Sequence, residues 1–223
     1  MKKAHLASCF ALVSLVGINQ FALAADPAHP DQPSVAPAEA ISKLKEGNGR
    51  YTSGNLQHPG QTTERRTELA NVQHPFAVIV SCSDSRVPPE IVFDQGLGDL
   101  FIVRVAGNII NDEGLGSIEY AVTHLGARLI VVLGHTHCGA VTAALESDHA
   151  PGHVQSLVRD IQPAVKAIKG KPGDALAAAI TENARLVAAQ IKAKAVLGDL
   201  AKEVRIVFAI YDLDTGKIEW PKD

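Results

Sequence analysis

Four short, continuously apolar runs constrain the fold of this chain more than any other feature. They lie at residues 76–81, 100–103, 129–133 and 205–211. Runs without polar alternation are typical of strands that are covered on both faces. Helical patterns precede and separate them, at residues 37–51, 62–72, 117–125, 140–145, 153–168 and 175–197. Alternating strands and helices predict an α/β fold, with a mainly parallel sheet flanked by helices.

The C-terminal end predicts one exception to the parallel order. Asp214-Thr215-Gly216 is a turn sequence, and the short stretch 217–219 follows it. A strand, a turn and a second short strand favour an antiparallel hairpin at the edge of the sheet.

The N-terminal end is predicted to be a secretory signal peptide, residues 1–24. Lys2 and Lys3 precede an apolar stretch at 6–16, and Ala22-Leu23-Ala24 resembles a cleavage site. The apolar stretch is too short for a membrane anchor. A Pro-rich flexible linker at 25–36 then leads to a single domain at 37–223. We therefore expect export, to a bacterial periplasm or beyond, and no membrane association after cleavage near Ala24.

Charge and aromatic content exclude some functions. The chain has 223 residues, a net charge of −3 and 4% aromatic residues. Nucleic-acid binding normally needs a basic surface, so no nucleic-acid partner is expected.

Three side chains are candidates for a metal site. Cys82 follows the first apolar run, His135 follows the third, and Cys138 comes three residues later, at the predicted start of a helix. Ligands in parallel α/β sheets bind at the carboxyl ends of strands. Three protein ligands with one open position are typical of a catalytic zinc. Two alternatives remain at this point, a disulfide between the cysteines and ligation by His137.

Asp84 and Arg86 are candidates for catalysis. They lie two and four residues after Cys82, in the segment Cys82-Ser83-Asp84-Ser85-Arg86. An arginine beside a carboxylate keeps it ionised and fixes its orientation. A surface ion pair is the alternative interpretation.

The two motifs together resemble the β-class carbonic anhydrases. Cys-x-Asp-x-Arg is followed by Gly-His-x-x-Cys-Gly at 134–139, and the similarity extends through residues 101–104, 106–108, 118–122 and 211–212. The resemblance implies one Zn²⁺ per chain held by Cys82, His135 and Cys138, with Asp84 and Arg86 as a catalytic dyad. It also implies reversible hydration of carbon dioxide to bicarbonate by zinc-bound hydroxide, in a homodimer or tetramer with active sites at the subunit interface.

The same resemblance implies three substrate-binding residues. Gln73 matches a substrate contact of the plant-like branch, and Phe101 and Tyr120 match pocket residues supplied by the partner subunit. Ile79 stands where the branch with an Asp-ligated zinc carries Trp. With Gln73, it favours the plant-like branch, in which Asp84 stays off the metal.

Two other functions share parts of this pattern. One is a related hydrolase of carbonyl sulfide or carbon disulfide. The other is an exported zinc-binding or thiol-switch protein without enzymatic activity.

Overall fold

The computed structural model describes residues 34–221, and its centre is a five-stranded sheet. The spatial order is β2-β1-β3-β4-β5. The strands are β1 (Ala77–Ser81), β2 (Leu100–Arg104), β3 (Leu129–His135), β4 (Arg205–Tyr211) and β5 (Ile218–Glu219). All neighbouring pairs are parallel except β4 and β5, which are antiparallel. The predicted α/β class and the C-terminal edge hairpin are confirmed.

Seven α-helices surround this sheet in the described part of the chain. They are α1 (Pro37–Thr52), α2 (Thr63–Glu68), α3 (Pro89–Val92), α4 (Asp112–Thr123), α5 (Gly139–Glu146), α6 (Val154–Ile168) and α7 (Ala175–Lys194). Six of them match predicted helical patterns, and α3 was not predicted. No helix in the described range 34–221 is both long and apolar enough to cross a membrane.

Burial follows from the position of each strand in the sheet. Every residue of β1 and β3 is buried, whereas β2 at one edge of the sheet and β4 beside the short strand β5 are half-buried over most of their length. One face of the sheet packs against α4 and α7, and the other packs against α1 and α3. The expectation of strands covered on both faces therefore holds for β1 and β3, whereas the apolar runs of β2 and β4 are partly exposed.

Helix α4 begins earlier than its apolar pattern predicts. Asn111 caps it by accepting a hydrogen bond from the Gly114 N–H group (3.0 Å), and Asp112 and Glu113 lie in the first turn. A capping side chain and acidic residues at a helix N-terminus both stabilise that end. They offset the low helix propensity of Gly114 and Gly116.

The predicted signal peptide and most of the linker lie outside the described residues. Of the linker, residues 34–36 are described, and Val35 packs against the core below α1. The domain boundaries stay predictions.

Two polar side chains of α1, Asn48 and Arg50, attach this helix to the rest of the domain. The Asn48 amide donates to the carbonyl oxygens of Val92 (3.0 Å) and Gly216 (2.8 Å), and its oxygen accepts from Ile218 N–H (3.0 Å). Arg50 Nε donates to Asp94 Oδ2 (2.5 Å). These contacts join α1 to the α3 region and to the C-terminal hairpin.

The Asp94 carboxylate is buried and fully occupied by donors. Besides Arg50, it accepts from the N–H groups of Gln57 (3.1 Å) and His58 (3.0 Å). Burial alone would raise the pKa of Asp94, but these hydrogen bonds outweigh it and hold the pKa below its ordinary value. Asp94 is therefore a stabilising carboxylate only while it is ionised.

We expect Asp94→Asn to lower the free energy of unfolding at pH 7 by about 2–3 kcal/mol. The new NH₂ group of the asparagine cannot accept hydrogen bonds, so it would lie against either the Arg50 and Gln57 N–H donors or the His58 N–H donor. Asp94 has a lowered pKa in the folded state, so its contribution is present above its unfolded pKa of about 4 and is lost as pH falls through the folded value. Urea unfolding at several pH values should show the gap between wild type and variant narrowing below about pH 4.

The control is Asp148→Asn, because the Asp148 carboxylate is exposed and forms a surface ion pair with the exposed His149. It should change the free energy of unfolding by less than about 0.5 kcal/mol. A gap for Asp94→Asn that stays constant down to about pH 3 would contradict the assignment.

Candidate metal centre

Three ligand atoms converge at the carboxyl end of the sheet. The side chains of Cys82, His135 and Cys138 are buried, and their ligand atoms all lie within 4.8 Å of one another. Both cysteines are free thiols. The predicted ligand set is thus brought together, and the structure contains no disulfide between these cysteines.

Strand register explains why Cys82 and His135 meet. Ser81 at the end of β1 lies opposite Leu133 in β3, which is its parallel neighbour. Cys82 is the next residue after β1, and His135 is the last residue of β3. Cys138 is the N-cap residue of α5, so the short connection after β3 returns its sulfur to the same edge.

His135 is oriented as a metal ligand. Its Nδ1 lies 2.8 Å from the Thr136 carbonyl oxygen, which can only accept, so Nδ1 carries the proton. Its Nε2 is buried and has no hydrogen-bond partner among residues 34–221. A buried nitrogen lone pair without a donor is costly, and a cation between Nε2 and the two sulfurs would satisfy it. The donor set, one neutral imidazole and two thiols, fits Zn²⁺.

The first sulfur is a hydrogen-bond acceptor for two backbone groups. Cys82 Sγ accepts hydrogen bonds from the backbone N–H groups of Gly107 (3.2 Å) and Asp84 (3.4 Å). A hydrogen bond from Cys138 is the largest cause that lowers the pKa of Cys82 to about 4, and His135 and these N–H groups lower it further, against burial. The pKa of Cys138 is raised, first because its thiol donates to Cys82 and second because it is buried. A metal ion would replace the proton that the two sulfurs share.

Asp84 and Arg86 form a bidentate pair beside the three ligands. Arg86 Nε donates to Asp84 Oδ1 (2.9 Å), and Nη2 donates to Oδ2 (2.7 Å). Asp84 Oδ2 is also 3.9 Å from His135 Nε2. The hydrogen bond from Arg86 is the main cause that holds the pKa of Asp84 well below its usual range. The carboxylate thus stays ionised and fixed in direction next to the candidate metal position.

Arg104 is a residue of this site that the sequence analysis gave no role. From the end of β2, its Nε donates to the Cys82 carbonyl oxygen (2.9 Å), and its Nη2 donates to the Asp84 carbonyl oxygen (2.6 Å). It therefore fixes the backbone that carries both the first ligand and the acid. A charged residue directly after an apolar strand run was the available signal.

The remaining predicted residues lie away from this cluster within one chain. Gln73 lines a separate cavity of about 770 Å³, together with Leu69 and Leu97. Phe101 and Tyr120 are half-buried and pack against the core on the α4 side of the sheet. A single chain does not test their predicted contribution to a partner's pocket, so their roles stay predictions.

His137 does not join the ligand group. Its side chain is exposed, and its Nε2 lies 3.3 Å from Asp214 Oδ2. Its backbone adopts a left-handed conformation (φ 54°). Its carbonyl oxygen accepts from Arg86 Nη2 (3.4 Å). His135, and not His137, is therefore the imidazole that lies with the two cysteines.

Known proteins resemble this chain over most of the domain. A family model described as carbonic anhydrase matches residues 77–218. Carbonic anhydrase 2 of Mycobacterium tuberculosis is 52% identical over 137 residues, which are 60% of this chain and 66% of that relative. Carbonic anhydrase of Mycolicibacterium smegmatis is 42% identical over 196 residues, covering 84% of this chain and 94% of the relative.

Solved structures agree on the fold. The β-carbonic anhydrase CafA of Aspergillus fumigatus has a TM-score of 0.63 at 27% identity, with 83% of this chain and 90% of that chain covered. One of two tetrameric β-carbonic anhydrases from Sordaria macrospora has a TM-score of 0.62 at 23% identity, with 82% and 95% covered. The chain belongs to the carbonic anhydrase family and has the fold of its β class.

Proposed function

We propose that this protein catalyses the reversible hydration of carbon dioxide to bicarbonate and a proton, with one Zn²⁺ per chain held by Cys82, His135 and Cys138. The observation that carries the proposal is the buried, unpartnered Nε2 of His135 facing two thiols, with an ionised Asp84 beside it. Family membership supports the same reaction.

The metal and the protein side chains would have different roles in the reaction. When bound, Zn²⁺ lowers the pKa of a coordinated water toward 7 and so supplies a nucleophile at neutral pH. An ionised Asp84 can only accept a hydrogen bond, so it selects and orients a group that carries a hydrogen. Arg86 donates to both oxygens of Asp84, which keeps that carboxylate charged and would keep it from binding the metal in place of water or substrate.

The surroundings suit an apolar substrate and a charged product. Cys82 and Cys138 lie in an apolar cluster with Ile109, Val141 and Val158. Such a wall limits the access of water to the sulfurs and strengthens charge interactions within the site. The Arg86 side chain is 54% exposed, so this side of the site faces solvent and is where the proton and bicarbonate can leave.

The plant-like branch, with Asp84 off the metal, is part of this proposal. The bidentate pair with Arg86 supports it, and Ile79 is buried in β1 where the other branch carries Trp. Gln73 would then contact substrate. Export to the periplasm is also proposed, supported by the sequence of residues 1–24.

We expect Arg86→Ala to retain one zinc per chain and to lose about 10²-fold in kcat/KM for carbon dioxide hydration, because Asp84 is no longer fixed. Rapid-mixing assays on samples with measured zinc content test this. The matched control is Arg185→Ala, which removes a similar bidentate pair with Glu182 (2.9 and 2.6 Å) on α7. Full activity of zinc-loaded Arg86→Ala would remove the dyad from the mechanism.

The hydration rate should rise as pH increases through and above neutrality. The pKa of Asp84 lies well below its usual range, so this carboxylate does not titrate there. The rise would come from the water that the metal acidifies, at about pH 7 or above, because two thiolates already neutralise the dication. Stopped-flow measurements of kcat/KM from about pH 6 to 9 check this, and a flat profile would refute it.

We also propose a homodimer or tetramer in which Phe101 and Tyr120 complete the partner's pocket. Exposed apolar side chains, Ile91 and Leu97, support an interface, and the related Sordaria macrospora enzymes are described as tetrameric. Light scattering should give two or four chain masses for the zinc-loaded protein. A monomer with full hydration activity would exclude partner residues from the site.

A further inference from the structure

Asn183 is an exception on an otherwise apolar helix face. The buried residues of α7 are Ala179, Ile180, Asn183, Ala184, Val187, Ala188 and Ile191. Burying a side-chain amide costs free energy unless it makes hydrogen bonds. Its place among alanine and branched aliphatic residues therefore calls for a specific partner.

That partner connects α7 to the metal centre. Asn183 Nδ2 donates to the Gly107 carbonyl oxygen at 2.8 Å, and both groups are buried. The N–H group of the same glycine donates to Cys82 Sγ at 3.2 Å. One residue thus separates the Asn183 side chain from the first candidate ligand of the metal.

The turn that contains Gly107 is held from several sides. Gly107 has a φ of +73°, a left-handed conformation that favours glycine. A Cβ atom there would lie 2.7 Å from Ile161 Cδ1 in α6 and 3.1 Å from Ala140 Cβ in the first turn of α5. Packing fixes the position of this turn, but packing is not directional, so a hydrogen bond is needed to fix the orientation of its peptide groups.

We propose that Asn183 is a positioning residue for the metal centre, because its bond to the Gly107 carbonyl aims the Gly107 N–H group at Cys82 Sγ. This proposal rests on the proposed function only in that Cys82 ligates a metal ion. Asn183 itself touches neither metal nor substrate.

The N–H···S bond changes how Cys82 binds a metal. A hydrogen bond to a thiolate stabilises negative charge on the sulfur, so the sulfur donates less charge to the cation. Groups that contact the ligands also hold them in place. Loss of the bond makes the sulfur easier to oxidise and less well oriented. Easier oxidation of the sulfur lowers the energy of sulfur-to-metal charge transfer. Poorer orientation of the sulfur weakens metal binding.

The test compares Asn183→Leu with Gln190→Leu. Gln190 is also on α7, and its Nε2 donates to another backbone carbonyl, that of Ile110 (3.3 Å), away from Cys82. Zinc affinity is measured by chelator competition, and the charge-transfer band is measured in the cobalt(II)-substituted proteins. Asn183→Leu should lose about 10-fold or more in zinc affinity and shift the band to longer wavelength, whereas Gln190→Leu should match wild type in both.

The proposal would be overturned if folded Asn183→Leu had the same charge-transfer band and zinc affinity as wild type. It would also be overturned if Gln190→Leu changed both quantities as much as Asn183→Leu does. Asn183→Ala, which creates less steric conflict, should change both quantities in the same direction if the leucine variant does not fold. In isotope-labelled wild-type protein loaded with a spin-active cadmium isotope, the Gly107 amide proton should couple to cadmium through Cys82 Sγ. Absence of this coupling would also refute the proposal, and a wild-type chain that binds neither cobalt nor cadmium would overturn the proposed function as well.

Discussion

The parallel pairing of β1 with β3 is the constraint on which the rest of the structure depends. Both strands are buried on both faces, so their register is fixed by packing as well as by hydrogen bonds. That register ends β1 at the level of Leu133, two residues before His135. A one-residue slip would turn the side chains of one strand to the opposite face and separate the imidazole from Cys82. The proximity of Cys82 and His135 in the candidate metal centre therefore depends first on strand pairing and only then on loop conformation.

Much of this was predictable because the informative signals are local. Continuous apolar runs identify buried strands, and a cysteine or histidine directly after such a run lies at a known edge of the sheet. Asp84 and Arg86 are two residues apart, so their pairing needs no knowledge of the fold. The contacts of Arg104, Gly107 and Asn183 were not predictable, since each bond joins segments whose proximity only the complete fold creates. An asparagine within an apolar helix face is visible in the sequence, but its partner is not.

The charges around the centre are arranged for a dication. Asp84 and Arg86 neutralise each other, and the His135 Nδ1 atom faces the Thr136 carbonyl oxygen, which leaves Nε2 directed toward the two sulfurs. Two sulfurs remain, and the Cys138 thiol proton is directed at Cys82 Sγ. A divalent ion can displace that proton and leave no uncompensated charge among Cys82, Cys138 and the metal. Because these charges cancel, burying the site in an apolar cluster costs less free energy.

Two thiolates nevertheless carry a chemical cost for a hydration catalyst, because they reduce the Lewis acidity on which nucleophile formation depends. Hydrogen bonds from the backbone N–H groups of Gly107 and Asp84 oppose that effect at Cys82, since they hold part of its negative charge on sulfur. Helices α5, α6 and α7 all contribute to the geometry of the Gly107 turn, by packing or by the Asn183 bond. The helical layer that covers this end of the sheet therefore acts on the chemistry as well as on stability. A substitution there can change the metal's reactivity without touching any ligand.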